Sequence, residues 1–371
     1  MAITLTKFLD AKSLYYEEID YSTIKKAWHE LESHITLPFV IHLVGTNGKG
    51  STGRFLAHYL NKKEYQVLHY SSPHILKFNE RIWLNGSDVS DEVLESAHKV
   101  LLSILSSNLI EKLTYFEYTT LLCFYLSSGF DYLVLEAGLG GEFDATNVVK
   151  NDLSLITTID YDHQSFLGNT IEEIASTKLR SCDTKMFVNK QVHEKVYEIA
   201  KNYNFEYVKE FDLSLLDFLP QYLLQNLKLS LTALQYLGIK IDLTVIKDIE
   251  LFGRCQKIKE NITIDVGHNP LAARVIKEEF EKNKKQVSLI YNCFSDKDYS
   301  KVLSILKPIL KEILIIKVDD QRVVEKNCLL KVCDTLEIKV DDFEKINPQK
   351  EYLVFGSFSV VEEFLKVYIE E

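Results

Sequence analysis

The feature that most constrains the fold is the alternation of short apolar runs, rich in β-branched and aromatic residues, with longer stretches of helical period. Parallel strands need helical crossovers, so this alternation predicts an α/β fold with a mostly parallel, doubly wound sheet. The clearest predicted strands are PFVIHLV, QVLHY, DYLVLE and LSLITTI in the first half of the chain, and NITIDV, QVSLIYNCF, EILIIKV and EYLVFGS in the last third. The first of them runs into a glycine-rich bend and a predicted helix from Thr52 to Leu60.

The length of the chain favours two domains. At 371 residues it exceeds the size at which one hydrophobic core usually stops growing. No flexible linker marks a boundary, but a helical stretch from Leu227 onward ends near Leu251-Phe252-Gly253, where the strand pattern restarts. We therefore predict a first domain over residues 1–250 and a smaller second domain over residues 251–371.

Charge and composition exclude several classes of protein. A formal net charge of −11 argues against a general nucleic-acid surface, because such surfaces depend on clustered Lys and Arg. The six cysteines form no CxxC pair, so reduced thiols and a cytoplasmic location are expected. The most apolar stretch, Tyr118 to Leu139, is interrupted by serine, glycine and aspartate, so it predicts a buried helix, a turn and a strand, and no membrane segment.

A glycine-rich bend, GTNGKGST from Gly45 to Thr52, follows the first predicted strand. Glycines let backbone N–H groups turn toward an anion, the next helix N-terminus adds its dipole, and Lys49 adds a charge. The spacing departs from the usual phosphate loop, because Leu43 stands where the first glycine belongs and Gly50 separates Lys49 from Ser51. On these residues alone, a phosphate loop and a turn that needs glycine only for its backbone both stay open.

Three further residues could contribute to a phosphate site. Glu136 ends an apolar strand, and doubly wound sheets bind ligands beyond the carboxyl ends of their strands, where a carboxylate can hold a cation. His163 lies in the loop after another strand, and Lys178 lies in the following helix, whose start is marked by the capping-box spacing of Thr170 and Glu173. Taken singly, each residue also has an ordinary explanation. Glu136 could be a solvated acid at a strand end, His163 a hydrogen-bonded loop residue and Lys178 a surface cation.

The remaining candidates lie in the second predicted domain. They are Arg254 in LFGRCQ, and Asp265 and His268 in IDVGHNP. No HExxH, cysteine cage or GxSxG occurs in the sequence, so zinc peptidase and serine hydrolase chemistry have no support.

The motifs GTNGKGST, SSPHILKFNERI, FEYTT, LEAGLGGEFDATN, DHQSFLG with its downstream lysine, GR and DVGHNP occur in one order. In this order they resemble those of folylpolyglutamate synthase/dihydrofolate synthase, of the Mur ligase superfamily, and the match spans Val44 to Ala273. The chain departs from the family's pattern at Glu142, where GGRLDATN has arginine. Leu179-Arg180-Ser181 also stands in place of Ala-Gly-Ile, and Tyr222-Leu223 in place of His-Gln.

The resemblance implies a P-loop ATPase domain followed by a smaller Rossmann-like α/β domain. The first, residues 1–250, would bind ATP and folate, and the second, residues 251–371, would act in glutamate ligation. It also implies ATP as co-substrate, two Mg²⁺ ions, and a pterin or folate and L-glutamate as the other substrates. A monomer that binds neither nucleic acid nor a membrane is expected.

The resemblance also assigns residues to the nucleotide and to the amino acid. Arg254 and Asn226 would contact the nucleotide, and Asp265 or His268 would orient or deprotonate the incoming amine. The ATP phosphates would be held by the side chain of Lys49 and by the run Thr46, Asn47, Gly48, Lys49, Gly50, Ser51 and Thr52.

The family's metal and pterin residues are matched as well. Ser72 and Glu136 would bind the first magnesium ion, and His163 would contact the second. Lys178 matches the lysine that the family modifies to a carbamate, which turns a cation into an oxygen ligand. Asp144 lies where the family recognises the pterin.

The implied reaction is the ATP-dependent joining of L-glutamate to dihydropteroate, a reduced folate, or both. The acceptor's carboxylate becomes an acyl phosphate, the amine attacks it, and ADP and phosphate are released. A Mur-type ligase acting on a UDP-sugar peptide is one alternative, but it carries a nucleotide-sugar domain before the loop and only 44 residues precede Gly45. A P-loop small-molecule kinase is the other, and it would form a phosphorylated product without free phosphate.

Overall fold

The computed structural model describes residues 3–13, 20–284 and 286–370. The chain divides into two compact units, Met1–Leu216 with Leu223–Ile249, and Asp217–Tyr222 with Glu250–Glu371. The predicted domain boundary after residue 250 lies one residue from the break after Ile249. The short segment Asp217–Tyr222 also belongs to the second unit, which was not predicted.

The first unit contains the strands β1 (Phe39–Val44), β2 (Val67–Tyr70), β3 (Ile82–Leu84), β4 (Ser87–Asp88), β5 (Tyr132–Glu136), β6 (Leu153–Ile156), β7 (Lys185–Val188) and β8 (Phe205–Tyr207). They form one sheet of order β4-β3-β2-β5-β1-β6-β7-β8, parallel from β2 to β8, with β3 and β4 added antiparallel. The four strands predicted from the sequence are the adjacent β2, β5, β1 and β6. Their nearly complete burial explains why each is a continuous apolar run.

The helices of this unit are α1 (Leu5–Asp10), α2 (Tyr21–Leu31), α3 (Lys49–Lys62), α4 (Asp91–Ile104), α5 (Ser107–Lys112), α6 (Tyr115–Leu126), α7 (Gln164–Leu167), α8 (Ile171–Leu179), α9 (Glu194–Ala200) and α10 (Gln221–Tyr236). The order α6, turn, β5 confirms the predicted helix, turn and strand. The capping box of α8 is also confirmed, because the side chains of Thr170 and Glu173 each accept from the other's backbone N–H. None of the described helices is long and apolar enough to cross a membrane.

Apolar clusters join the helices to the sheet of the first unit. One contains Ile24 of α2, Leu101 of α4 and Tyr118 of α6, packed with Leu133 of β5. Another joins α8 and α9 to β6 and β7. This layering of helices on a mostly parallel sheet confirms the predicted doubly wound α/β class.

The second unit is a smaller α/β unit. Its elements are β9 (Gln256–Lys259), β10 (Ile262–Ile264), α11 (Pro270–Lys282), β11 (Val287–Tyr291), α12 (Tyr299–Leu306), β12 (Leu310–Ile315), α13 (Lys326–Thr335), β13 (Val340–Asp342), β14 (Tyr352–Phe355) and α14 (Phe358–Glu370). The strand order is β13-β12-β11-β14-β10-β9, and only β9 pairs antiparallel among these described strands. The predicted Rossmann-like arrangement is confirmed, including all four strands predicted there.

A buried acid, Glu312, stabilises the sheet of the second unit. Its carboxylate accepts hydrogen bonds from Ser288 Oγ at 2.7 Å, from Lys339 Nζ at 3.2 Å and from Lys350 Nζ. The hydrogen bond from Lys350 contributes most to lowering the pKa of Glu312 to about 2, although burial opposes it. The carboxylate is therefore ionised at neutral pH.

Replacing Glu312 by glutamine is expected to destabilise the chain by about 1–3 kcal/mol, because the charged acceptor is lost. The folded pKa lies below the ordinary value of 4.5, so the ionised group stabilises the fold above that value and its contribution is lost as the pH falls through about 2. Thermal unfolding from about pH 7 to about pH 2 tests this. The exposed Glu344→Gln variant is the control, and an identical pH dependence in wild type and Glu312→Gln would contradict the prediction.

Candidate active site

The predicted site segments of the first unit meet at one edge of its sheet. β2, β5, β1 and β6 are adjacent and parallel, so their carboxyl ends share that edge. Leu43 in β1 pairs with Glu136 in β5, which places the acid beside the start of the glycine-rich bend. Ser72 follows β2 and His163 follows β6 at the same edge. The topology thus brings together four segments that are far apart in the sequence.

The glycine-rich bend turns directly into a helix, as a phosphate loop does. Gly48 adopts a left-handed φ of 93° and precedes α3, and a Cβ at this position would lie 2.7 Å from Asn226 Oδ1. The first turn of any helix leaves its N–H groups without helical acceptors, here those of Lys49, Gly50 and Ser51. These amides and the helix dipole favour an anion at this end of α3.

The preceding residues of the bend are held by the chain itself. The backbone N–H groups of Thr46 and Asn47 both donate to the carbonyl oxygen of Thr158, at 2.9 and 3.2 Å. Thr46 Oγ1 donates to the Asp160 carbonyl at 2.9 Å and accepts from the Asp160 N–H at 3.0 Å. These amides therefore shape the loop. The predicted contacts of this run with a phosphate stay predictions.

Two lysines share one carbonyl oxygen beside the bend. Lys49 Nζ donates to the carbonyl oxygens of Gly45 and Thr46, at 3.2 and 3.3 Å. Lys178 Nζ donates to the same Gly45 oxygen at 2.9 Å, and Lys178 is only 4% exposed. Burial and, to a smaller extent, the positive charge of Lys49 together lower the pKa of Lys178 to about 7. The site therefore combines a cation for a phosphate with an amine that titrates near neutral pH.

Helix α10 supports the bend from the side. Asn226 Nδ2 donates to Ser51 Oγ at 2.8 Å, and Ser51 Oγ donates to the Gly48 carbonyl at 3.2 Å. Ser230 Oγ donates to the Thr52 carbonyl at 2.8 Å. The structure thus places Asn226, the predicted nucleotide residue, directly against the glycine-rich bend.

Ser230 and Thr158 were missed by the sequence analysis. Ser230 lies four residues after Asn226, so the helical period could have placed it on the same face of α10. Thr158 acts through its backbone carbonyl, and no residue type signals such a role.

The candidate metal ligands sit at the same edge of the sheet. Glu136 is buried at the end of β5, and Ser72 is partly buried just after β2. His163 is more exposed, adopts a left-handed φ of 50°, and lies 3.9 Å from Asp162. Within the described ranges, no three His, Cys, Asp or Glu side chains gather as a metal site. The predicted metal ligands also include the hydroxyl group of Ser72 and a carbamylated Lys178. Oxygen ligands of this kind suit magnesium.

Asp144 fixes the loop that follows β5. Its Oδ2 accepts from the Leu139 N–H at 2.6 Å, and its Oδ1 accepts from the N–H and hydroxyl of Thr146 at 3.0 and 2.6 Å. His42 Nε2 lies 2.8 Å from the same Thr146 hydroxyl. Asp144 is buried, which raises its pKa. Its predicted contact with a pterin stays a prediction.

The same loop is fastened to α8, the helix that carries Lys178. Two positions that depart from the family's pattern meet here, because Arg180 Nε donates to the Glu142 carboxylate. A Cβ at Gly141 would lie 2.8 Å from the Lys178 carbonyl oxygen, so only glycine allows this close approach. The position of Lys178 thus depends on the glycine-rich loop.

In the second unit, Asp265 is engaged by the chain around it. Its carboxylate accepts from the Cys255 N–H at 2.8 Å, the Gly267 N–H at 2.8 Å and the Tyr222 hydroxyl at 3.0 Å. Burial raises its pKa. The tyrosine that replaces the family's histidine therefore takes part in holding the loop that leads to α11.

The other two predicted residues of the second unit lie near Asp265 in sequence. The Arg254 guanidinium lies 5.2 Å from the Phe358 ring centroid, and its Nη1 donates to the Gly253 carbonyl at 3.2 Å. His268 Nδ1 lies 3.3 Å from the Val266 carbonyl oxygen. Their predicted contacts with substrates stay predictions.

Replacing Gly48 by alanine is expected to cost about 1–2 kcal/mol of stability and to weaken ADP binding. Alanine disfavours the left-handed φ, and its Cβ would displace Asn226 from the loop. Thermal unfolding and calorimetric titration with ADP measure both effects. Gly129→Ala is a matched control, because Gly129 has a φ of 88° with nothing within 4 Å of an added Cβ. Unchanged ADP affinity in Gly48→Ala would contradict the prediction.

Comparisons with known proteins identify the family of the chain. No protein-family model matches the chain. The dihydrofolate synthase/folylpolyglutamate synthase of Haemophilus influenzae is 33% identical over 346 residues, which are 80% of this chain and 78% of that protein. The crystal structure of Helicobacter pylori folylpolyglutamate synthetase is 39% identical, with a TM-score of 0.78 over 99% of this chain and 98% of that chain.

A third comparison supports the fold. The bifunctional folylpolyglutamate synthase/dihydrofolate synthase of Yersinia pestis, complexed with AMPPNP and Mn ion, is 23% identical with a TM-score of 0.83. It matches 98% of this chain and 97% of its own. The Haemophilus influenzae and Helicobacter pylori likenesses, which agree with the ordered motifs, show that the chain belongs to the dihydrofolate synthase/folylpolyglutamate synthase family.

Proposed function

We propose that the chain joins L-glutamate to dihydropteroate, to a reduced folate, or to both, with ATP converted to ADP and phosphate. The observation that carries the proposal is the meeting of the GTNGKGST bend, Glu136 and Lys178 at one sheet edge, in a member of this family. The Haemophilus influenzae and Helicobacter pylori relatives bear the names of this activity.

The chemistry needs an activated acid. A carboxylate resists attack by an amine, because its carbonyl carbon is electron-rich and oxide is a poor leaving group. Transfer of the γ-phosphoryl group to the carboxylate oxygen gives an acyl phosphate and ADP. The glutamate amine then attacks the acyl carbon, phosphate leaves, and the amine loses a proton. Lys49 and the amides from Gly48 to Ser51 stabilise the charge on the phosphoryl group.

A divalent cation fits the oxygen-rich residues of the site. Ser72 and Glu136 would hold one Mg²⁺ ion, and His163 with a carbamylated Lys178 a second. The cation, when bound, neutralises phosphate charge. The manganese and AMPPNP of the Yersinia pestis complex support the metal and the nucleotide.

The second unit supplies the residues for the amino acid. Asp265 fixes the loop that carries His268, so that His268 orients the glutamate amine or accepts its proton. Arg254 and Asn226 contact the nucleotide, and Asp144 contacts the pterin. Residues 1–250 thus bind ATP and the acceptor, and residues 251–371 act on glutamate.

The function is tested by phosphate release from ATP in the presence of L-glutamate, with dihydropteroate and tetrahydrofolate as separate acceptors. Release is expected with at least one acceptor, and Lys49→Ala is expected to lower it by about 10²-fold or more, because the cation beside the γ-phosphate is lost. Lys62→Ala is the control, because Lys62 lies in the same helix as Lys49 and its exposed side chain pairs with Asp248 on the surface. Turnover only with a UDP-sugar peptide, or formation of a stable phosphorylated product, would contradict the proposal.

Lys178 offers a second test. A carbamate forms when a neutral amine attacks CO₂ and loses a proton, and a pKa of about 7 leaves the amine mostly neutral above that pH. Activity lost in CO₂-depleted buffer is therefore expected to return when CO₂ is restored and, at equal dissolved CO₂, to return faster near pH 8 than near pH 6. Lys178→Met should be weakly active and insensitive to bicarbonate. Full activity in that variant, or no response of the wild type to CO₂ depletion, would contradict the assignment.

A further inference from the structure

Arg81 is a buried cation at the same sheet edge that the proposed function leaves unused. It ends the short helical turn Phe78–Arg81 before β3, and it is 9% exposed. Its carbonyl oxygen accepts from the Ser71 N–H at 2.9 Å. Arg81 therefore lies beside Ser72, the candidate metal ligand at the carboxyl end of β2.

The surroundings of Arg81 do not neutralise its charge. Its Nε donates to His74 Nδ1 at 2.8 Å, and its guanidinium lies 5.1 Å from the Tyr115 ring centroid. Because Nδ1 accepts this hydrogen bond it carries no proton, so the imidazole ring brings no negative charge to balance the guanidinium. Across residues 3–13, 20–284 and 286–370, no carboxylate forms an ion pair with Arg81.

Two other arginines of the chain have a carboxylate partner. Arg322 also stacks on an aromatic ring, 4.0 Å from the Phe294 centroid, but it makes two hydrogen bonds to the Asp320 carboxylate. Arg180 pairs with Glu142. Buried cations are ordinarily paired, because removal from water is costly. A buried guanidinium without an acid among the described residues is suited to an anion from outside the chain.

Aromatic rings lie beside the guanidinium. Phe78 meets Tyr115 edge to face at 6.2 Å and His74 at 6.4 Å. Such rings favour contact with an aromatic ligand. Both acceptors in the proposed function carry an aminobenzoyl ring. In dihydropteroate the carboxyl group is bonded to this ring, and in a folate it belongs to the attached glutamate. A guanidinium surrounded by aromatic side chains could therefore bind such a ligand through its ring and its carboxylate.

We propose that Arg81 binds a carboxylate of the acceptor that does not react, namely the α-carboxylate of a glutamate already attached to it. The inference rests on the proposed function. Arginine binds a carboxylate through two parallel hydrogen bonds. A carboxylate held in this way has both oxygens occupied and is a poor nucleophile toward phosphorus, so the pair suits the group that is not phosphorylated. Arg81 then distinguishes a glutamate-bearing acceptor from dihydropteroate.

The test compares two ligands that differ only in glutamate, 7,8-dihydrofolate and 7,8-dihydropteroate, by calorimetric titration of the full chain. Arg81→Met is expected to raise the Kd of dihydrofolate by about 10- to 100-fold and that of dihydropteroate by less than about 2-fold. Arg81→Lys keeps the charge without the planar fork and should lie between. The melting temperature of Arg81→Met should equal or exceed that of wild type, because a buried charge is removed.

Arg322→Met is the matched control, since it removes a stacked guanidinium that has its own carboxylate, and both Kd values should stay unchanged. Equal losses for the two ligands, a lower melting temperature without selective loss, or no change would overturn the inference. A wild-type chain that binds dihydropteroate but not dihydrofolate would overturn it as well. A wild-type chain that binds neither and releases no phosphate with either acceptor would instead refute the proposed function.

Discussion

The whole site depends on the register of β1 between β5 and β6. Pairing of Leu43 with Glu136 sets the acid beside the bend, and pairing of Val44 with Ile156 sets the loop of Thr158 on its other side. A slip of one residue would turn every side chain of β1 to the opposite face. The strand from Val40 to Val44 is buried, so such a slip would be costly. Packing of apolar side chains thus determines the geometry of the polar groups.

The central parts of the fold could be predicted because burial leaves a strong pattern in the sequence. All eight strands predicted from apolar runs are present. The strands that were missed are short or lie toward the edges, and β9 alternates partly buried and exposed residues. Helix α3 starts at Lys49, earlier than predicted, although glycines disfavour a helix. Gly53 faces His69, with room for no Cβ, so tertiary packing overrides the local preference there.

Residue type alone was enough to single out Lys49, Glu136 and Lys178 as candidates, and the structure places them around the same bend. Contacts made by the backbone could not be predicted in this way. Nothing in the sequence indicates that the Thr46 amide is already bonded to a residue more than a hundred positions later. Arg81 could not be singled out from the sequence either. Its proposed role rests on the lack of an acidic partner among the described residues, and residue type does not reveal this.

The three supports of the bend, from Thr158, Asn226 and Ser230, have a consequence for the kinetics of ligand exchange. A loop that is rigid before its ligand arrives need not lose conformational freedom on contact, so capture can proceed near the rate of diffusion. Differences in affinity then arise mainly from differences in the dissociation rate of the ligand. Residues in α10, far along the chain from the bend, would in this way influence the dwell time of a spent nucleotide.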